Sequence, residues 1–158
     1  MNIREWEERD TDEMVELFYH TVHMVNSRDY SLEQLNAWAD LAEKGERKIA
    51  WLLSFRGRIA YVAEDDGIIA GFVDMTSEGY VDRLYVHQAY QRRGVASALL
   101  GKVEREARNL QIGRLWTEAS VTAKAFFERK GYCVTEEQRV LRKGIPLTNY
   151  VMIKTLNI

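Results

Sequence analysis

The chain has 158 residues, with 22 Lys and Arg against 24 Asp and Glu, so its formal net charge is −2. An apolar share of 46% and a charged share of 29% are ordinary for a globular protein, and the length implies one domain over residues 1–158. The lack of a basic excess argues against a general nucleic-acid binder, and the single cysteine, Cys133, excludes a disulfide framework or a cysteine-built metal site.

No apolar run approaches the ~18 residues of a membrane span, and Met1 to Asp10 has no apolar signal core. The expected setting is the cytoplasm, with no membrane partner. Ile3 to Glu7 alternates as a short strand would. A helix is predicted from Asp10 or Thr11, where Asp10 and Glu13 have the spacing of a capping box. Met14, Leu17, Phe18, Val22 and Val25 then recur at helical intervals. Asn26 to Tyr30 interrupts the pattern. Ser31 and Gln34 form a second capping box ahead of Leu35, Trp38, Ala39 and Ala42, and Gly45 ends that helix. Trp51 to Phe55 reads as one helical turn.

The middle of the chain reads as strands: Ile59 to Glu64, Ile68 to Thr76 and Tyr80 to Val86. Asp65-Asp66-Gly67 is a hairpin signal between the first two. A long amphipathic helix is predicted from about Gly94 to Asn109. A strand over Arg114 to Ala119 follows, then a short helix over Thr122 to Lys130, stopped by Gly131. Two strands close the chain, Tyr132 to Leu141 and Leu147 to Leu156. This order implies an α/β (α+β) fold with a mixed sheet and helices on its faces.

One segment breaks a local rule. Arg92 and Arg93 stand at the N-terminus of the long helix, where cations oppose the macrodipole. Free backbone N–H groups make that end positive twice over, and Gly94 lets a ligand approach the backbone. Such a place suits a phosphate or pyrophosphate; a solvated arginine pair with a glycine cap is the plainer alternative.

Gln91-Arg92-Arg93-Gly94-Val95-Ala96 resembles the Gln/Arg-x-x-Gly-x-Gly/Ala signature of the GNAT acetyltransferase superfamily, and it lies between a strand and an amphipathic helix as it does there. Downstream, Ala123-Lys-Ala-Phe-Phe-Glu-Arg-Lys-Gly131-Tyr132 is similar to that family's second motif, Ala-x-x-Phe-Tyr-x-x-x-Gly-Phe. The resemblance implies a mostly antiparallel seven-stranded sheet with a central splay and about four flanking helices. It also implies acetyl-CoA as co-substrate and no metal. The backbone of Leu84, Tyr85 and Val86 would pair with the pantetheine arm, and Gln91, Arg92, Arg93, Gly94, Val95, Ala96 and Ser97 would hold the pyrophosphate. Ser120 stands where an asparagine often contacts the cofactor. Phe127 stands where many members have a tyrosine that protonates the leaving thiolate. An amine of a small molecule or protein would attack the thioester directly.

The acceptor ammonium, with a pKa near ~10.4, must lose a proton first, so a base is useful. Strand alternation puts Tyr80, Asp82, Leu84 and Val86 on one face, which makes Asp82 and Tyr80 candidate catalytic groups. At ~3.3 Å per residue Asp82 is about 13 Å from Val86, so it is expected to relay a proton rather than touch the thioester. Glu118 is a weaker candidate, and Tyr85 and Tyr150 are alternative proton donors to the thiolate. The resemblance places the acceptor between the first two helices, where Tyr30 and Trp38 would be aromatic walls. Cys133 is expected in the core. His20, His23 and His87 lack a ligand motif. The partner is thus an amine acceptor, in a monomer or homodimer. The alternatives are a CoA-binding regulator without turnover and a phosphate- or nucleotide-binding interaction module.

Overall fold

Period-two alternation commits the middle and end of the chain to strands, and in the computed structural model, which describes residues 1–157, these join one seven-stranded sheet of order β1-β2-β3-β4-β5-β7-β6. The strands are β1 (Asn2–Glu5), β2 (Ile59–Asp65), β3 (Ile68–Met75), β4 (Tyr80–Val86), β5 (Arg114–Ser120), β6 (Cys133–Arg142) and β7 (Ile145–Thr155). Every neighbouring pair is antiparallel except β4 and β5, which run parallel.

Five α-helices cover the sheet: α1 (Thr11–Met24), α2 (Leu32–Trp38), α3 (Lys44–Phe55), α4 (Val95–Asn109) and α5 (Lys124–Arg129). Leu99, Leu100 and Val103 of α4 pack on one face against Val73, Met75, Val81 and Leu115. Met14, Phe18, Trp51 and Phe55 of α1 and α3 pack on the other against Val62 and Phe72. Gly71 lets α4 lie close to β3, since a Cβ there would stand 2.9 Å from Val95 and 3.1 Å from Leu99.

The Ser31–Gln34 capping box forms in both directions, at 3.1 and 2.9 Å. Asp10 does not cap α1 with Glu13. Its carboxylate turns back to the Glu7 N–H and to both terminal nitrogens of Arg4, because a guanidinium fork offers stronger bonds than one helix N–H. Gly45 ends no helix either: α2 stops at Trp38, Asp40 caps a short 3-10 turn, and α3 runs for three turns through Gly45. Only Trp51 and Phe55 of α3 are buried while Ile49 and Leu53 are exposed, so its stripe is too narrow to read from periodicity. Cys133 is exposed, not core, because it opens β6, an edge strand that is exposed along most of its length. Pro146 is tolerated in β7 because β5 pairs only from Asn149 onward, which leaves one side of Pro146 without a ladder partner.

The register of β3 with β4 shifts between Asp74 and Met75, so Asp82 is an extra residue in β4. Alternation resets there. Val81 and Leu84 both face α4, while Arg83 stacks over Trp51 and Phe55 on the opposite face. The expectation that Tyr80, Asp82, Leu84 and Val86 share a face therefore fails at the bulge. The same bulge bends the strand. Only Tyr80 with Trp116 and Val81 with Thr117 pair across β4 and β5, and beyond them the two strands separate.

Asp74 holds the bulge. It is fully buried, accepts the Arg83 backbone N–H at 2.9 Å, and accepts side-chain bonds from Arg83 at 2.7 Å and Arg58 at 2.9 Å. Removing one partner from a buried ion network commonly costs about 3–5 kcal/mol. Asp74→Ala is expected to lose stability of that order in urea unfolding, whereas Glu8→Ala, which breaks only an exposed pair with Arg56, is expected to leave the urea midpoint nearly unchanged.

Candidate active site

The separation of β4 from β5 opens two cavities that meet between the strands. The first, of about 650 Å³, runs from the strand gap to the start of α4 and is lined by Leu84, Tyr85, Val86, Gln91, Arg92 and Gly94, with Val95, Ala96 and Ser97 beyond. Gly94 is the N-cap of α4 with φ +79°, no side chain caps the helix, and no acid lies in its first turn. Arg92 is also left-handed, at φ +62°. This strained turn aims the helix's free N–H groups into the cavity.

Along β4 the free backbone groups follow from one hydrogen bond. The His87 N–H is donated to Ala70 of β3 at 2.8 Å. By antiparallel alternation Tyr85 also bonds toward β3, while Leu84 and Val86 turn theirs into the gap. The Val86 carbonyl is already taken, by Thr21 Oγ1 at 2.9 Å and Gln91 Nε2 at 2.7 Å. The gap is roofed by the loop before α2, where Tyr30 Oη accepts the Val121 N–H at 2.8 Å and Thr122 Oγ1 donates to Asp29 at 2.8 Å.

The second cavity, of about 500 Å³, lies on the α1 and α3 side. Its floor carries Tyr80, Asp82 and Glu118, its walls Trp38, Arg47 and Trp51, and its outer rim Arg142 and Lys143. Leu84, Tyr85, Ser120, Ala123 and Phe127 line both cavities and mark their junction.

Residues 26–154 match the family model described as Acetyltransferase (GNAT) domain. The chain belongs to the GNAT acetyltransferase family. It is 34% identical over 152 residues to a protein of Escherichia coli K12 described as the uncharacterized N-acetyltransferase YafP, covering 96% of this chain and 94% of that one. Its fold is similar to that of a GCN5-related N-acetyltransferase, described also as aminotransferase class II, from Rhodopseudomonas palustris. The TM-score is 0.91, the identity 27%, and the coverage 98% and 95% of the two chains. It also resembles in fold yncA from Salmonella typhimurium, a putative acetyltransferase solved with acetyl-CoA, at a TM-score of 0.72 and 20% identity, with 100% and 95% covered. Family membership makes this GNAT chain an enzyme and displaces the interaction-module and regulator readings.

Against the GNAT expectations, eleven of the twelve expected cofactor residues line the first cavity and Arg93 does not. The left-handed turn at Arg92 swings the next side chain away, and the Arg93 guanidinium stacks on Tyr90 at 5.3 Å from the ring centroid. Tyr85 contributes its ring rather than its backbone, packed edge-on against Phe18 at 5.0 Å. Ser120 accepts the Ala123 N–H at 3.1 Å and so shapes the entry to α5. Phe127 is 3% exposed and stacks edge-on with Phe126 and Tyr132. Tyr150 lies outside both cavities.

On the acceptor side, Tyr30 spends its hydroxyl as a strut, donating to the Thr148 carbonyl at 2.7 Å while accepting from Val121. Only its ring is left as a wall, edge-on to Trp38 at 5.4 Å. Tyr80 donates to Glu118 at 3.0 Å and stacks on Trp116. Burial pushes its phenol well above the usual tyrosine range, and the charges of Asp82 and Glu118 push it further. Tyr80 is thus a fixed donor and not a base. Asp82 is held by Arg58 at 2.6 Å, with Arg83 at 4.0 Å.

Thr21 and Arg47 were missed by sequence reasoning. Thr21 is a hydroxyl set within the apolar stripe of α1, the one local signal of a polar task there.

If Arg92 lines the anion end of the cavity and Arg93 does not, Arg92→Ala is expected to weaken CoA binding about tenfold, the worth of one charge-assisted hydrogen bond, while Arg93→Ala changes it by less than about threefold. Gly94→Val, which forces a β-branched residue to φ +79°, is expected to do more harm than either. Calorimetric titration with CoA measures all three.

Proposed function

We propose that this enzyme transfers the acetyl group of acetyl-CoA directly to a primary amine. The observation that carries this reading is the junction of two cavities in the splay, one ending at an uncapped helix N-terminus and the other floored by carboxylates. The first fits a long ligand with a diphosphate, since Gln91, Arg92 and the N–H groups of Val95 to Ser97 face it and nothing crowds Gly94. Acetyl-CoA supplies the activated acetyl group as its thioester.

The N–H groups of Leu84 and Val86 are the donors of β4 that face the gap. Donors placed there stabilise negative charge developing on a carbonyl oxygen. The amine nitrogen forms its bond to the acetyl carbon as the carbon–sulfur bond breaks, the nitrogen loses a proton and the departing sulfur gains one. Among the floor carboxylates, Asp82 is already taken up by its ion pair with Arg58. Among the described residues Glu118 is bonded by the neutral donors Tyr80 and Gln138 and pairs with no cation, so it is the carboxylate open to an ammonium. The proton therefore goes to Glu118, directly or through water, and Asp82 serves mainly to anchor the bulge.

Phe127 cannot protonate sulfur. Tyr85 lines both cavities, and its phenol, pushed up by burial and by Asp82, stays neutral and donates a hydrogen bond to the departing sulfur, which takes its proton from water or from the acceptor ammonium. A thiol ionising near pKa ~8.5 leaves tolerably even without such help.

A thiol-release assay with acetyl-CoA and a panel of amines tests the activity itself; turnover of hydroxyl acceptors but of no amine would overturn it. With an acceptor in hand, Glu118→Gln is expected to lower kcat by about 10², the usual worth of a general base, and to flatten the acidic limb of the pH profile. Wild-type behaviour of Glu118→Gln with a shifted limb in Asp82→Asn would return the role to Asp82. Tyr85→Phe, which removes one hydrogen bond to the departing sulfur, is expected to lower kcat by about tenfold with the KM for acetyl-CoA unchanged.

A further inference from the structure

The charges lining the acceptor cavity do not cancel among themselves. Arg83 and Asp82 belong to the network around Asp74 and Arg58. At the rim, Lys143 is paired with Asp40 at 2.9 Å and Glu43 at 3.1 Å. Three lining charges have no opposite partner among the described residues: Arg47, Arg142 and Glu118.

Arg47 is half-buried on α3 and held in one plane. Its Nε donates to Tyr19 Oη at 3.0 Å, one terminal nitrogen reaches the Trp38 carbonyl at 3.4 Å, and the guanidinium lies over the Phe18 and Tyr19 rings at 5.1 and 5.5 Å. The other terminal nitrogen makes no hydrogen bond among the described residues. The Asp40 carboxylate feels the Arg47 charge but bonds Lys143, so the guanidinium has no direct ion pair, which is costly for a half-buried cation. A guanidinium fixed by packing, with donors left over, is preorganised for a planar anion. Arg142 adds a second positive charge at the rim.

Glu118 sits on the floor, two residues before Ser120, where the two cavities join. The cavity is thus polarised, negative at the junction and positive on the α3 wall and the outer rim. A hydrophobic amine without a carboxylate would pair with Glu118 as its ammonium and leave Arg47 unmatched.

We infer that the acceptor is a small zwitterion, a primary amine that also carries a carboxylate. Its ammonium is held at Glu118 and its carboxylate at Arg47, with Arg142 assisting. This rests on the amine-acetylation reading and names the class of amine. A lysine side chain presented by a protein has no anion beside its nitrogen and does not match this arrangement.

The experiment compares common L-amino acids with their amides and decarboxylated amines, and with a lysine-containing peptide, by CoA thiol release. For the best side chain the amino acid is expected to exceed both neutral counterparts at least tenfold in kcat/KM. Arg47→Gln is expected to bring that ratio close to one with CoA affinity unchanged, and Arg47→Lys to keep part of it. Arg142→Gln, on an exposed hairpin and safe for folding, is expected to lower the ratio more modestly. As a readout apart from turnover, the N-acetylated form of that amino acid is titrated into CoA-loaded protein, where Arg47→Gln is expected to weaken binding at least tenfold.

Equal or better turnover of the neutral amines or of the peptide would overturn the inference while leaving amine acetylation standing. So would a carboxylate preference that survives Arg47→Gln in a variant with a wild-type melting profile. So would a failure of every amino acid both to turn over and, as its N-acetyl form, to bind. If no amine of any kind releases CoA from protein that binds acetyl-CoA, the amine reading fails as well.

Discussion

The Asp74 carboxylate has no exposed surface, and burial pushes its pKa up. Two guanidinium groups and one backbone N–H oppose that push. The N–H belongs to Arg83, the residue just after the bulge. The side chain of β3 therefore takes over a bond that a regular ladder would have made, and the extra residue Asp82 can be accommodated. A bulge raises local twist, and the twist carries the end of β4 away from β5. Without the divergence the two strands would pair along their length and leave no gap between them.

Other features exploit the same divergence. Thr21 and Gln91 both bond the Val86 carbonyl, which satisfies a group the missing strand partner leaves open. Gly71 brings α4 down onto β3, so that the helix N-terminus stands beside the gap. Tyr30 ties the loop before α2 to Val121 and Thr148 and so closes the gap from above. The two cavities are therefore consequences of one irregularity in the sheet, and family membership follows the same geometry: residues 26–154, which carry the GNAT match, contain the bulge, the strand gap and α4.

Legibility of the site tracked the range of the interactions that build it. The turn from Gln91 to Ala96 was readable because its signal is local: cations at a helix start and a glycine at the cap. The face assigned to Asp82 was not, because alternation presumes a regular strand, and the bulge is specified by Asp74 on another strand. Tyr30 and Trp38 were recognised as aromatic, but whether a hydroxyl recognises ligand or braces a loop depends on partners 91 and 118 residues away. Arg47 lay in a helix whose narrow apolar stripe hid the helix itself.

The class of fold, the order of nearly all its elements, the Ser31–Gln34 cap and the glycine-capped turn at the start of α4 are legible in the sequence alone. All of these rest on periodicity, capping and backbone preference within a few residues. Long-range packing locks Tyr80 as a donor to Glu118, spends Asp82 on Arg58 and leaves Arg47 without an ion pair in the acceptor cavity, while Arg93 turns to Tyr90. The role of each charged or polar group is set by its nearest partners in space and by exclusion of water. The long-range partners come from the turn before β2, from β5 and from α3, which no local pattern brings together.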